Sequence, residues 1–444
     1  MKPNYKKAFI WLFSGAGLSL LLYWFIRWQM EPPLRSFPQK AAATVSVLLF
    51  AAVGLLAVRQ WADFWSQEAE HASVNKPAVS SWKIFLSLIA WDACILFLAW
   101  PLRCLLTGGM TLQQSMEAWI SGDSYHYLCI ARDWYLSTGD LDRVVQLVFL
   151  PGYPVLIRLA HLVIPNWTYA ALTVSGICFA LAGTVFYHLS LPDLGERGAR
   201  RALIALCLFP GSFFFAAPMS ESLFLLCCVG CLYQARKEKW FLAGLLGAYA
   251  AFTRSLGITL LVPLALELVH TALQNKTRWI HFLSLLLVSL GFTAYLLVNW
   301  QISGNPFQFL IYQSEHWHQN FGLFFNTAAY QTDYAIGTFH DNPHNFWGLW
   351  LPNLAASFGA LPLMLLAGKK LRASWTVWFI PYYFIAIGAT WLLSAPRYLL
   401  AFFPLSQATA AISEKRGVRA VIFVLLGVLS TLYFLAYLLH WQVY

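Results

Sequence analysis

Four ionisable side chains stand in otherwise apolar stretches of the chain. Asp123 lies in the motif GDSYHY, Glu221 in PMSES, Arg254 in FTRSLG and Arg397 in SAPRY. A carboxylate can take the proton from an attacking hydroxyl within hydrogen-bond reach. A guanidinium presents paired donors that match the oxygens of a phosphate. Together these residue types indicate chemistry between a hydroxyl and a phosphorylated compound.

Asp123 has two possible roles. As a general base it would have to contact the hydroxyl that it deprotonates. An aspartate ahead of an apolar helical run is equally typical of a helix N-cap, where it accepts hydrogen bonds from free backbone amides. His126 lies three residues later on the same helix face. It either orients a substrate or is a solvated histidine.

The two arginines and Glu221 also have structural alternatives. Arg254 and Arg397 can extend to lipid headgroups instead of binding phosphate. Both lie at turns rather than at free helix ends, which favours binding. Glu221 begins an apolar run, where the helix dipole stabilises a carboxylate. It is therefore either a structural residue or part of the same site.

Histidines in the segment 301–345 raise the question of a metal. Their spacing fits no strong zinc signature, and the cysteines, most of which lie in apolar runs, show no ligand spacing. We therefore expect no metal and no cofactor. The histidines concerned are His316, His318, His340 and His344.

The surroundings of these residues predict a membrane protein. Hydrophobic residues make up 59% of the 444, and charged residues only 11%. Apolar runs of about 20 residues recur, each long enough to cross a bilayer. The net charge of +10 does not indicate nucleic-acid binding, because the basic residues are spread over short loops. The sequence predicts an all-α polytopic protein.

We expect about 13 transmembrane helices from the apolar runs. The first run lacks a small-residue cleavage site and is expected to be a retained span. The predicted spans are 8–26, 41–58, 82–106, 167–189, 203–217, 219–235, 240–253, 256–272, 279–300, 346–367, 375–393, 398–412 and 419–439.

The domain organisation follows from these spans. Residues 1–81 are expected to form two extra N-terminal helices and a cytoplasmic loop. Residues 82–444 form the main membrane domain, with a first extracytoplasmic loop over 107–166 and a second long one over 301–345. With the other spans placed, the chain returns to the correct side of the membrane only if 149–165 does not cross it. We therefore expect 149–165 to be an interfacial or re-entrant piece.

Orientation follows from the lysines and arginines of the short loops. Most of the 29 basic residues fall on one side when the N-terminus is cytoplasmic. The turns that carry Asp123, Glu221, Arg254 and Arg397 then all lie on the opposite face. We therefore expect one extracytoplasmic site.

The motifs together resemble those of the PIG-V mannosyltransferase family, a branch of the GT-C glycosyltransferases. The matching stretches, spread over about residues 82–412, occur in the order of that family. Gly122 stands where the family usually has Trp, and Leu256 where it often has Asn. The matching stretches are DSYHYLCIARDWY with FLPGYPVLIRL, FPGSFFFAAPMSESLFLL, AAFTRSLGITLLVPL and PRYLLAFFPL.

The resemblance implies a GT-C-type bundle whose large first extracytoplasmic loop carries interfacial helices. It implies inverting transfer of a hexose, with mannose the first candidate, from a polyprenyl-phosphate donor such as dolichyl phosphate mannose. Asp123 would be the catalytic base, and Arg254 and Arg397 would hold the lipid phosphate. His126 and Glu221 would position hydroxyls. The remaining candidate binding residues are Ser220, Tyr398 and Tyr153.

Alternatives remain at this level. The chain can be a GT-C enzyme for another lipid-linked sugar, or a lipid-linked-sugar flippase or transporter. Transporters tend to have repeated halves, and no repeat is evident. The expected partners are the lipid-linked donor, a glycolipid or glycan acceptor and membrane lipids. We expect a bacterial plasma-membrane protein with its site facing the periplasm, or an endoplasmic reticulum protein with a luminal site if eukaryotic.

Overall fold

A computed structural model describes residues 3–32, 34–65, 79–135, 145–274 and 278–443, and these are helical almost throughout. An isolated antiparallel bridge joins Phe321 to Ala389. The helices are α1 (Pro3–Met30), α2 (Phe37–Phe64), α3 (Ser81–Thr107), α4 (Leu112–Glu117), α5 (Asp123–Asp133), α6 (Gly152–His161), α7 (Trp167–Leu208), α8 (Glu221–Arg236), α9 (Trp240–Thr253), α10 (Ser255–Gln274), α11 (Trp279–Ser303), α12 (Gln308–Trp317), α13 (Phe324–Asp341), α14 (Pro343–Lys370), α15 (Ala373–Ile387), α16 (Ala395–Leu400), α17 (Pro404–Ile412) and α18 (Arg416–Leu438).

The predicted class is confirmed, because the chain is an all-helical, multi-pass integral membrane protein. Among the described residues, 8 helices are long and apolar enough to cross a bilayer, rather than the thirteen expected. They are α1, α2, α3, α7, α10, α11, α14 and α18, and α9 and α15 are shorter apolar helices.

Of the five predicted spans not found at that length, 219–235, 240–253 and 375–393 are helices of only 16, 14 and 15 residues, and the other two are changed at prolines. The predicted span 203–217 ends early, at Leu208, because Phe209 is extended ahead of Pro210. A residue before proline is disfavoured in the helical conformation. The predicted span 398–412 is split into α16 and α17, with Pro404 opening the second piece. Within α7, Gly195 has a φ of 64° and kinks the helix.

Both predicted extracytoplasmic loops contain helices. The first holds α4, α5 and α6, while its residues 136–144 lie outside the described ranges. The ten residues of α6 extend about 15 Å, half of a hydrocarbon core. The second loop contains α12 and α13. The long spans are therefore connected in both loops by short helices and not by irregular chain alone.

The N-terminal helices pack against the rest of the chain. Phe50 of α2 lies 4.4 Å from Phe324 of α13, measured between ring centroids. Trp28 Nε1 donates to Asn326 Oδ1 at 2.8 Å. The side chain of Gln60 bonds Thr376 on α15. Residues before 82 thus contact helices of the predicted main domain.

Glycines allow two close contacts beneath the site. A Cβ on Gly257 would fall 2.4 Å from the backbone of Ala250, so the first turn of α10 folds directly onto α9. A Cβ on Gly152 would fall 2.4 Å from Thr253 Oγ1, so α6 begins against the last residue of α9. Arg254 is fixed between these two contacts.

Candidate active site

The four candidate ionisable residues meet in one hydrogen-bonded group, which we call the charged cluster (Asp123, Glu221, Arg254 and Arg397). Arg397 Nη1 donates to Asp123 Oδ2 at 2.8 Å. Arg397 Nε and Nη2 each lie 2.7 Å from Glu221 Oε1. Arg254 Nη1 donates to the same oxygen at 2.7 Å. The four turns that carry these residues therefore lie at the same end of the bundle.

Asp123 is the first residue of α5 rather than its cap. The N-cap position is taken by Gly122, whose φ of 53° suits glycine. The Asp123 carboxylate turns to Arg397 instead, and its side chain remains 35% exposed. The choice that the sequence left open is therefore resolved against a capping role.

Glu221 is the most enclosed member of the charged cluster. It begins α8 and is 0% exposed, and three N–H groups converge on its Oε1. Its Oε2 has no hydrogen-bond partner among the described residues. A buried carboxylate is tolerated when it is paired and hydrogen-bonded, and the two arginines supply that compensation.

Arg397 is almost fully buried. The residue is 3% exposed, and its guanidinium carbon lies 5.2 Å from the centre of the Phe214 ring. Arg254 is more open, with 11% of its side chain exposed and its guanidinium 5.1 Å from the ring of Tyr398. The two arginines therefore differ in access, although both bind Glu221.

A second layer of hydroxyl groups supports the arginines. Arg254 Nη1 donates to Ser220 Oγ at 3.2 Å, and Ser220 Oγ lies 3.0 Å from the Tyr127 hydroxyl. Burial raises the pKa of Tyr127 well above its usual range, which keeps this hydroxyl protonated. Tyr127 was missed in the sequence, although its position four residues after Asp123 places both on one face of α5.

His126 packs beside the cluster without joining it. Its ring stacks on Phe149 at 4.7 Å between centroids, and Nδ1 lies 3.5 Å from Gln146 Nε2. Burial lowers the pKa of His126, and the nearby Asp123 opposes this only in part. The imidazole is therefore neutral at pH 7.

A cavity of about 400 Å³ opens beside the charged cluster, and we call it the main cavity. Its lining combines polar side chains with aromatic and aliphatic ones. Four predicted site residues, Asp123, His126, Arg254 and Tyr398, are among its walls. The other lining residues are Gly122, Tyr127, Val148, Phe149, Leu150, Thr253, Ser255, Phe309, Gln313, Trp317, Gln319, Trp391, Leu393 and Ser394.

A second cavity of about 160 Å³, the side cavity, also reaches Asp123. Its lining includes Arg397, which does not line the main cavity. Gly122 and Asp123 belong to both linings. The remaining lining residues are Ser121, Met219, Tyr437, His440, Trp441, Gln442 and Val443.

Three predicted binding residues lie behind these walls in the described part of the chain. Glu221 and Ser220 are fully buried beneath the arginines. Tyr153 is also fully buried, and its hydroxyl lies 2.7 Å from Ser175 Oγ and 3.0 Å from Ala171 O. Its ring meets Tyr127 edge to face at 5.4 Å. These residues support the lining and do not form it.

No group of three or more potential metal ligands comes together within the ranges described. The histidines of α12 and α13, such as His316 and His340, therefore assemble no candidate site there. The charge balance of the cluster comes from arginine and carboxylate side chains alone.

The described helices thus form a multi-pass bundle in which an aspartate and an arginine line a cavity of mixed polar and apolar character. The sequence profile of the mannosyltransferase (PIG-V) family matches residues 110–314. Over these residues the chain matches the PIG-V mannosyltransferase family, as the motifs predicted. The matched family is one of glycosyltransferases, which use a sugar donor and an acceptor.

A curated relative agrees with this assignment. GPI alpha-1,6-mannosyltransferase 2 of Rattus norvegicus is 29% identical over 163 residues. The alignment covers 33% of this chain and 32% of the rat protein, so the chain matches about a third of that relative. Asp123, Glu221 and Arg254 lie within the family match, whereas Arg397 lies beyond its end.

Proposed function

We propose that the chain transfers a hexose, with mannose the first candidate, from a polyprenyl-phosphate donor to a hydroxyl of a glycolipid or glycan. The observation that carries the proposal is the contact between Asp123 and Arg397 at the wall of the main cavity. It places a carboxylate of fixed orientation next to a space that also contains Arg254. The family match supports mannose as the sugar.

Asp123 is the base in this mechanism. Arg397 holds Oδ2, which leaves Oδ1 to receive a proton. The acceptor oxygen bonds to the anomeric carbon, and the bond from that carbon to the phosphate oxygen breaks. The electron pair leaves with the phosphate, and the hydroxyl proton moves to Asp123. Attack from the face opposite the phosphate inverts the configuration.

The contacts divide the roles that the sequence gave jointly to the two arginines. Arg397 already uses Nε, Nη1 and Nη2 on carboxylates and is almost fully buried. Arg254 contacts Glu221 and Ser220 through Nη1 and lines the main cavity. We therefore assign the donor phosphate to Arg254, because paired donors stabilise charge that develops on the leaving phosphate. Arg397 positions Asp123.

The apolar residues that line the main cavity suit the lipid of the donor. Phe309, Trp317 and Trp391 lie there with Leu150, and His126 and Gln313 add hydrogen-bonding groups for sugar hydroxyls. An apolar pocket with a few polar groups is the usual form of a site for a small molecule.

The arrangement in the membrane is also part of the proposal. The chain would form a GT-C-type bundle in which shorter helices, such as α8 and α9, cross as well. The cluster lies at the start of α8, while Arg236 lies at its other end. The basic ends face the cytoplasm by the rule of positive charge. The site then faces the periplasm, or the lumen in a eukaryotic cell.

Purified protein with radiolabelled polyprenyl-phosphate-mannose and a lipid acceptor pool tests the proposal. We expect the wild type to transfer label and Asp123→Asn to lose transfer while still binding donor. Donor binding without transfer or hydrolysis by the wild type would contradict an enzyme and favour a flippase. Transfer of another lipid-linked sugar instead would change the donor and keep the mechanism.

A further inference from the structure

The side cavity lies next to the reactive carboxylate but has a different lining from the main cavity. Asp123 belongs to both linings, while Arg254 lines the main cavity and Arg397 the side cavity. If the donor phosphate is bound at Arg254, the space at Arg397 is available to a second compound. That compound can reach Asp123 without entering the donor site.

The lining of the side cavity has the chemistry of a carbohydrate site. Ser121 Oγ and the Tyr437 hydroxyl lie 3.0 Å apart, and Gln442 and His440 add polar side chains. Trp441 adds an indole, whose apolar face can cover the carbon face of a sugar ring. The volume of about 160 Å³ is below the range of about 300–1,000 Å³ typical of whole ligands. It fits one ring or the end of a glycan.

The segment His440–Val443 forms one wall of this cavity and is held in an unusual conformation. His440 has a φ of 55°, which is uncommon for a residue other than glycine. Such conformations persist when their surroundings fix them, and they cluster at functional sites. Trp441 fixes the segment, because its ring lies 4.8 Å from that of His344 and its Cβ packs on Gly348.

We propose that the side cavity binds the acceptor saccharide and that the segment His440–Val443 selects the acceptor. This inference rests on the proposed transferase function and adds the location and chemical class of the second substrate. The acceptor hydroxyl approaches Asp123 from the side of Arg397. The sugar ring lies between Tyr437 and Trp441, and His440 bonds one of its hydroxyls.

A larger side chain in the wall of the side cavity tests whether the acceptor binds there. Val443→Trp places a large ring at the wall, while Leu439→Trp, on a residue outside the lining, is the matched control. The assay uses polyprenyl-phosphate-mannose as donor and octyl α-mannoside as acceptor. We expect Val443→Trp to raise the acceptor KM at least tenfold and to leave the donor Kd unchanged. An unchanged acceptor KM, or an equal loss of donor binding, would overturn the proposal.

Substitutions at His440 test whether this residue helps to select the acceptor. His440→Gly suits the positive φ and removes the imidazole, whereas His440→Asn suits it and keeps a hydrogen-bonding group. We expect about a tenfold higher acceptor KM for the glycine variant, the value of one lost hydrogen bond, and a smaller change for asparagine. Equal KM values for both variants and the wild type would remove His440 from the site.

A binding measurement separates this proposal from the transferase function. In Val443→Cys, octyl α-mannoside should slow maleimide labelling of the new thiol, measured above the wild-type background, and Leu439→Cys should be unaffected. Protection without any transfer by the wild type would support the saccharide site and reject the proposed reaction. No protection would reject the site, whatever the enzyme transfers.

Discussion

Two buried glutamates of this chain are each paired with arginine, but their surroundings differ. Glu267 of α10 receives Arg372 Nε on Oε1 at 2.6 Å and Nη2 on Oε2 at 2.7 Å. Ser374 Oγ donates to Oε1 at 2.6 Å. Both carboxylate oxygens therefore have hydrogen-bond partners, and we call Glu267 and Arg372 the closed pair. At Glu221, by contrast, three donors share Oε1 and Oε2 has no partner among the described residues.

The two sites also lie at different ends of the same helix. Arg254 directly precedes α10, and Glu267 follows thirteen residues later, roughly 20 Å along the axis. The partners of Glu221 extend to Asp123 and to both cavities. The partner of Glu267 packs instead against an aromatic ring, because the guanidinium carbon of Arg372 lies 5.3 Å from the centre of the Phe64 ring. We therefore expect a functional role for the buried glutamate whose partners reach a cavity and a structural role for the other.

The largest effect should come from substitution of Asp123, the carboxylate that lines both cavities. Asp123→Asn removes the base but keeps an acceptor for Arg397, so we expect transfer to fall by about 10²- to 10⁴-fold in a donor-saturated assay. Asp133→Asn, at the far end of α5 and beside Arg132, is the control and should keep its rate. Retention of most turnover by Asp123→Asn would reject the base assignment.

The closed pair should matter for stability instead. Glu267→Ala leaves the half-buried Arg372 without its carboxylate and the buried Ser374 hydroxyl without its acceptor, and we expect a loss of about 1–3 kcal/mol in the free energy of unfolding. The thermal melting of purified protein measures this change. Transfer per folded molecule should stay near the wild-type value. A catalytic loss larger than the loss of folded protein would contradict a purely structural role.

Replacing Arg254 and Arg372 by lysine, one at a time, distinguishes the Glu221 and Glu267 sites further. Arg254→Lys keeps the charge but loses the paired donors, so we expect donor binding to weaken about tenfold with little change in melting temperature. Arg372→Lys should lower the melting temperature and leave the donor Kd unchanged. The reverse pattern would exchange the roles of the two sites.

The smallest effect concerns His126 and pH. Burial lowers its pKa, so the ring is neutral at pH 7 and gains a proton only below the usual histidine range near about 6.5. A proton there adds positive charge to the lining of the main cavity, to which Arg254 also belongs. We expect the acid side of the pH–rate profile to be less steep in His126→Gln than in the wild type or in the remote variant His281→Gln. Identical profiles would show that His126 does not titrate in the reaction.

Local patterns were enough to predict much of this protein. The apolar runs predicted a helical membrane protein because a bilayer demands long segments with internally satisfied backbones. The basic loops grouped the turns of Asp123, Glu221, Arg254 and Arg397 at one end. The motifs predicted the PIG-V family, which the profile match confirms over residues 110–314.

Where the helices end depended on local chemistry that hydropathy alone does not show. The span expected over 203–217 stops ahead of Pro210, and the one expected over 398–412 restarts at Pro404. Proline restricts the residue before it and lacks an N–H, so an apolar run can continue where a helix cannot.

Tertiary structure alone decided which groups bind each other. Asp123 and Arg397 are 274 positions apart, and no local period connects them. Packing made Asp123 a partner of Arg397 rather than a cap, placed Tyr153 behind the wall and brought Tyr127 to Ser220. It also created the side cavity between α18 and the turn before α5. Sequence thus selected the residue types and their end of the helical bundle, while helix packing set their distances, on which any chemistry depends.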